Sequence, residues 1–241
     1  MSRVLVSLLL VFSAACYADQ FTFCKVGQSG ADKCLTKNIE SAIRSLKNGA
    51  PEYGLISLDP LHVDKITIDA NQTVQLVQYY TNIDLSGFSD VDVKKAHYDP
   101  GKKLLSVLGL FPRLIQVGNC MAKGKLLSLV VEGNGNSTLT LDNTEILVNI
   151  QFEDTTKDGK TFFKIKSFVM NITPKRMTSY YANLFNGNQL LSDNILKLIN
   201  EEWETLYNDV KPSINENYAS IFKKYGEVFF DKVPADTIFP K

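Results

Sequence analysis

Two histidines, four cysteines and the N-x-[ST] sequons at Asn71, Asn136 and Asn171 are the residues of this chain whose chemistry could define a function. A zinc site needs several ligands converging on one point, and His62 and His97 fall on separate segments, with no H-E-x-x-H and no pair of C-x-x-C motifs beside them. There is no G-x-S-x-G elbow, no P-loop and no dinucleotide fingerprint. Gly133 and Gly135 read as a turn, because a phosphate cradle would need a helix after it. His97 reads as an ordinary surface or packing histidine. The chain is therefore expected to be no enzyme, to hold no metal and to use no cofactor.

The cysteines instead point to a compartment. Residues 1–18 have the parts of a secretory signal: Arg3, an apolar run from Val4 to Phe12, and small residues at Ala14, Ala15 and Ala18. That run is well short of the roughly 20 residues that span a bilayer. Cleavage after Ala18 removes Cys16 and leaves Cys24, Cys34 and Cys120 in an oxidising space. Cys24 and Cys34 flank a polar, glycine-containing loop and are the natural disulfide pair, worth roughly 2–3 kcal/mol in the chain-entropy model. Cys120 reads as a buried apolar thiol. Secretion also gives the sequons meaning as glycosylation sites. Asn136, in what reads as a Gly/Asn-rich turn, is the best of them, ahead of Asn71 and of Asn171, which Pro174 follows.

Charge excludes other partners. The 26 basic and 26 acidic residues balance, and loss of Arg3 leaves −1, with no block of one sign. Nucleic acid and an anionic membrane surface are thus unlike partners for this chain, and no later segment is apolar enough for a stable membrane anchor. Residues 19–241 are expected to form one domain and a monomer.

The elements follow from periodicity. Leu35, Ile39, Ala42, Ile43 and Leu46 recur at helical spacing until Asn48, Gly49 and Pro51 stop them. From Leu61 to Ile172 the period becomes two, as in half-buried strands, with turn signals at Asp99–Gly101, Ala122–Gly124, Gly133–Gly135 and Lys157–Gly159. Short loops imply an antiparallel meander, and the long segments 102–116 and 138–152 imply strong coiling. Asp193 to Phe230 reads as one helix with Ser192 as N-cap, about 35 residues or roughly 50 Å long. Pro212 is expected to kink it, since the apolar stripes before and after differ in direction by roughly 90°. The tail from Lys232 reads as extended.

A long apolar helix under a curved sheet encloses an elongated apolar interior. With no other chemistry present, the leading expectation is a carrier whose tunnel binds an elongated hydrophobic molecule; burying roughly 400 Å² of it contributes on the order of 10 kcal/mol before ordering costs. Leu198, Ile199, Trp203, Leu206, Tyr218 and Phe222 are candidate lining residues, chosen as apolar positions on the helix. The alternative is a secreted signalling or interaction protein with a packed interior that acts through its surface. A hydrolase of lipid esters is a third reading.

Over essentially the whole mature length the chain resembles the takeout and juvenile hormone-binding proteins of insects. The resemblance is carried by Cys24 and Cys34 before a Leu/Ile helix, GAPEYGLISLDPL at 49–61, FPRL at 111–114, GKLL at 124–127 leading into Gly133 and Gly135, the Asn186–Leu191 turn, Trp203 and Pro212 in the long helix, and VPADTIFP at 233–240. It implies an α+β fold in which a curved antiparallel sheet wraps a long C-terminal helix, the architecture of tubular lipid-binding domains. It also implies an extracellular, haemolymph-type carrier of hydrophobic ligands such as juvenile hormone, fatty acyl chains, quinone-like molecules, carotenoids or odorants. The hormone-binding members carry a second disulfide that Cys120 alone cannot form, so the resemblance is closer to takeout-like members.

Overall fold

The computed structural model describes residues 21–71, 74–126 and 129–240. The leader with Cys16, the side chain of Asn71 with Gln72 and Thr73, and Lys241 lie outside the described residues. Helix α1 (Ala31–Ser45) precedes seven strands: β1 (Leu61–Asn71), β2 (Val74–Ser86), β3 (Asp92–Asp99), β4 (Leu104–Leu126), β5 (Leu129–Lys157), β6 (Lys160–Thr173) and β7 (Arg176–Tyr181). Helices α2 (Gln189–Glu201), α3 (Trp203–Phe230) and α4 (Ala235–Ile238) follow. All strand pairs are antiparallel, and the sheet curls around α3.

The sheet is not a simple meander. β4 and β5 run side by side from Leu104 opposite Gln151 to Leu126 opposite Leu129, forming a spine. On the outer side of β4, β3 pairs with its first part and β2 with its last. On the outer side of β5, β7 covers Ser137–Asp142 and β6 covers Glu145–Lys157. The spine thus has an upper end, near Leu126, and a lower end, near Leu104. Register shifts at Thr81/Asp84, Val93/Lys95 and Gln151/Phe152 add local twist to strands that must coil.

Two expected turns are strand interior. Ala122–Gly124 lies in β4 and Gly133–Gly135 in β5. Their glycines serve close approach rather than reversal. A Cβ on Gly133 would stand 2.1 Å from the Asn183 carbonyl oxygen, where the chain leaving β7 crosses the sheet, and one on Gly124 would stand 2.2 Å from that of Gln75. The turns at Asp99–Gly101 and Lys157–Gly159 do connect strands.

The expected single helix is interrupted at Glu202, and α3 runs on through Pro212 rather than ending there. Asn200 explains the place. Its carbonyl accepts from Arg176 Nη2 at 2.6 Å, and its side chain is tied to β7, so the last turn of α2 is committed to the sheet. Glu202 and Glu204 then suit the positive start of a new helix better than the end of an old one. Asn188, not Ser192, caps α2, its Oδ1 accepting from the Leu191 N–H at 3.1 Å; Ser192 sits inside the first turn. The tail is not fully extended either: after Pro234 it forms the α4 turn, which buries Ile238 and stacks Phe239 on Tyr98 with centroids 3.8 Å apart.

Helices hold the outer strands through side chains. α3 spans the gap between β1 and β6: Ser213 Oγ accepts from the Asp69 N–H, and Asn217 donates to the Thr67 carbonyl. On the other flank Asn215 Oδ1 accepts from the Ile172 N–H, and Tyr207 donates to the Ile172 carbonyl at 2.8 Å. α1 treats β3 alike. Asp32, Thr36, Glu40 and Arg44, four residues apart on one face, bond in turn to the His97 ring, the Ala96 N–H, the Val93 N–H and the Val91 carbonyl.

Candidate functional site

The interior holds space at both ends of the spine. At the lower end are two apolar cavities of about 270 and 250 Å³, which share Ile39, Ile43, Leu46, Leu105 and Tyr225 and so adjoin. α1 supplies one wall with Ile39, Ile43 and Leu46, positions that recur by threes and fours and so share a face. The sheet supplies the opposite wall through alternate residues, Leu105, Val107 and Gly109 of β4 and Ile146, Val148 and Ile150 of β5. Phe222 and Tyr225 of α3 complete it.

No charged side chain lines either lower cavity. The Tyr225 hydroxyl is turned away and donates to the Ile56 carbonyl at 2.8 Å, while burial pushes this phenol up to about 12. Phe21, Tyr53 and Phe229 form an aromatic group beside the first cavity, with centroids 5.1–5.4 Å apart. The Cys24–Cys34 disulfide holds the N-terminal segment against α1, and Cys24 itself lines this cavity. Phe88, between Phe111 (5.7 Å) and Phe222 (4.7 Å), packs at the second.

At the upper end is a smaller cavity of about 70 Å³ between β2, β4, β5, β7, α2 and α3. Its walls are mostly aliphatic but include Gln78, Tyr80, Gln116, Ser179, Tyr181 and Tyr218. One turn of α3 separates Tyr218, which lines this cavity, from Phe222, which lines the lower pair. The spaces therefore lie in file along the helix.

Of the candidate lining residues, Ile199, Leu206 and Tyr218 lie on the upper cavity and Phe222 on a lower one. Leu198 and Trp203 line neither and are half-buried core contacts, with the Arg176 guanidinium 5.9 Å from the Trp203 ring. Helical periodicity alone had missed α1, the inward residues of the sheet and the polar group of the upper cavity. The alternation of β2 and β4 carried the signal for the last: Gln78 and Gln116 stand where a buried position was due.

The other chemistry-bearing residues are dispersed. His62 pairs with Asp84 and His97 with Asp32, each at 2.9 Å on the exposed surface. Cys120 is buried behind Tyr80, and burial pushes its thiol up to about 12, which suits an inert core residue. Asn136 is exposed but lies within β5 rather than in a turn, and Asn171 is exposed within β6. Among the described residues there is no cluster able to hold a metal ion, and no helix is long and apolar enough to cross a membrane.

The family model for the haemolymph juvenile hormone binding protein (JHBP) matches residues 5–240. The chain is 27% identical over 219 residues to the circadian clock-controlled protein daywake of Drosophila melanogaster, covering 87% of this chain and 84% of that protein. The Drosophila yakuba daywake is 24% identical over 217 residues. The crystal structure of Epiphyas postvittana Takeout 1 superposes with a TM-score of 0.79 at 25% identity, covering 91% of this chain and 99% of the other.

Proposed function

As a member of the haemolymph juvenile hormone binding protein family, this chain is, we propose, a secreted carrier that encloses an elongated hydrophobic small molecule. The observation that carries the reading is the adjoining pair of lower cavities, bounded by a helix, a sheet and a disulfide-held segment and free of charged side chains. Each lies just below the size range of small-molecule sites, and together they suit a chain longer than either. Such walls gain from any apolar surface removed from water, about 25 cal/mol per Å², and offer little directional chemistry to select one tail from another. Isoprenoid, fatty acyl, quinone-like and carotenoid chains all have the required form. Catalysis forms no part of the reading.

Secretion belongs to the same proposal, with cleavage after Ala18 and N-glycans at the Asn136, Asn71 and Asn171 sequons, Asn136 first among them. Purified natural protein, denatured, extracted and analysed by mass spectrometry, should release a hydrophobic ligand in stoichiometric amount, and its first residue should be Asp19. Protein that yields no ligand and takes up no retinoid, isoprenoid or fatty acyl probe would sink the carrier reading in favour of action through the outer surface. Visible absorption of the native material identifies a carotenoid directly.

A further inference from the structure

The upper cavity differs from the lower two in its hydrogen-bond arithmetic. Gln78, only 8% exposed, accepts at Oε1 from the Tyr80 hydroxyl and from the Tyr181 hydroxyl, both at 2.7 Å, and the two phenol oxygens are 2.9 Å apart. Gln116, 5% exposed, accepts at Oε1 from the Tyr218 hydroxyl at 2.8 Å. Both amides therefore spend their oxygen on tyrosines, and each has an NH2 group with two donors. Those donors have no acceptor among the described residues, although both side chains line the cavity. A donor on the wall of an otherwise apolar cavity gains nothing without an acceptor there, so two glutamines are a poor way merely to line it.

We propose that the upper cavity is a head-group site, in which the Gln78 and Gln116 amides, six strand positions apart, offer separate donors, one of which bonds to the neutral carbonyl oxygen of an amphiphilic ligand. The inference rests on the carrier reading and deepens it by naming the chemistry of one end of the cargo. Neutrality follows from the lining, which includes no lysine, arginine or histidine to balance a carboxylate. An unpaired buried carboxylate is far costlier than a ketone, aldehyde or ester. The phenols do not change this balance, because burial raises Tyr80, Tyr181 and Tyr218 and keeps them un-ionised. The size agrees: about 70 Å³ admits a carbonyl and its nearest carbons, and leaves the remainder of a long chain to continue along α3.

The test compares 2-octanone, octane and octanoate on the full mature chain by calorimetry, with infrared spectroscopy of the bound ketone. The expected result is 2-octanone binding about tenfold tighter than octane once each affinity is corrected for the compound's own partition from water into hydrocarbon, as one well-formed net hydrogen bond gives. Octanoate should be the weakest of the three. The carbonyl stretch of the bound ketone should lie below its position in hydrocarbon solvent. At least one of Gln78→Leu and Gln116→Leu should lower ketone affinity severalfold and move the stretch back, while octane affinity stays within about twofold; ketone affinity unchanged in both would overturn the site. Retained octane binding shows that each variant is folded, and Gln116→Met serves if Gln116→Leu is not. Equal partition-corrected affinities for ketone and alkane, an unshifted stretch, or tightest binding of octanoate would each overturn the head-group site while leaving the carrier reading in place. Failure of all three compounds and of long-chain probes would overturn both.

Discussion

The side-chain amide of Asn200 holds both backbone groups of Ser179, accepting from its N–H at 2.7 Å and donating to its carbonyl at 2.9 Å. One side chain of α2 thus acts as the missing neighbour of β7 beside the upper cavity. Asn200→Leu leaves two strand groups unpaired and should cost about 1–3 kcal/mol. Thermal unfolding should fall by roughly 2–4 °C per kcal/mol, and the Ser179 amide should exchange faster with deuterium. An unchanged exchange rate at Ser179 would refute this role.

Gly133 should not tolerate a methyl group. Its Cβ would meet the Asn183 carbonyl oxygen at 2.1 Å and Leu184 backbone atoms at 2.7 Å. Gly133→Ala should therefore displace the segment after β7 and destabilise by about 1–3 kcal/mol in chemical denaturation. Gly159→Ala, at a turn with open space around it but a positive φ of 73°, should cost no more than about 1 kcal/mol.

Val107 and Val148 face each other across β4 and β5 on the wall of a lower cavity. Val107→Phe or Val148→Phe puts a ring into existing space, so stability should change by less than about 1.5 kcal/mol. Binding of a fatty acyl or isoprenoid probe should weaken tenfold or more in a fluorescence titration. Unaltered binding by both variants would place the ligand elsewhere.

Opening the Cys24–Cys34 bridge should act on both stability and ligand release. The bond closes a loop with a sequence separation of 10, and Cys24 lines a lower cavity. The Cys24→Ser, Cys34→Ser double variant should lose about 2–3 kcal/mol. Probe dissociation in a stopped-flow experiment should accelerate, because Phe21 and Phe23 are no longer held over the cavity. A stability loss with an unchanged off-rate would reduce the disulfide to a purely structural role.

Alkali should unfold the protein before its buried phenols titrate freely. Burial is the largest cause of the raised values at Tyr80, Tyr98, Tyr181, Tyr207, Tyr218 and Tyr225, with Tyr98 and Tyr225 near 12. A phenol raised in the folded state contributes stability that is complete below the unfolded value of about 10 and is lost as pH climbs through the folded one. Stability should thus fall between about pH 10 and 12. Phenolate absorbance should rise in a cooperative step coincident with loss of the circular dichroism signal.

Much of the fold was legible because the dominant signals were periodic. The threes and fours from Ile195 to Phe229 and the alternation of Ile66 with Ile68 or Val91 with Val93 report which face is buried, and burial decides both the helices and the curved sheet. What was misread depended on tertiary partners. Gly124 and Gly133 look like turn residues until another segment of the chain is seen pressing on them. Glu202 carries no breaker signal, since the interruption is set by Arg176 and Ser179, distant in sequence. The candidate site was legible only on α3: Ile199, Leu206, Tyr218 and Phe222 are on cavity walls, but Leu198 and Trp203 show that an apolar helical position does not distinguish wall from core. Gln78 and Gln116 were visible as polar residues on alternating strands, yet only their pairing with Tyr80, Tyr181 and Tyr218 shows which of their atoms remain to be used.

The ladder of Asp32, Thr36, Glu40 and Arg44 along β3 also has a consequence for how these molecules behave in a crowd. A bare strand margin recruits a matching strand from a neighbour, and a fluid rich in such a protein would gel or seed fibres. Here the margin ends in side chains of the same molecule, and a newcomer would have to displace charged and hydroxyl groups before gaining one backbone bond. Resistance to edge-to-edge association is thus built into a helix whose neighbouring face walls the lower apolar cavities.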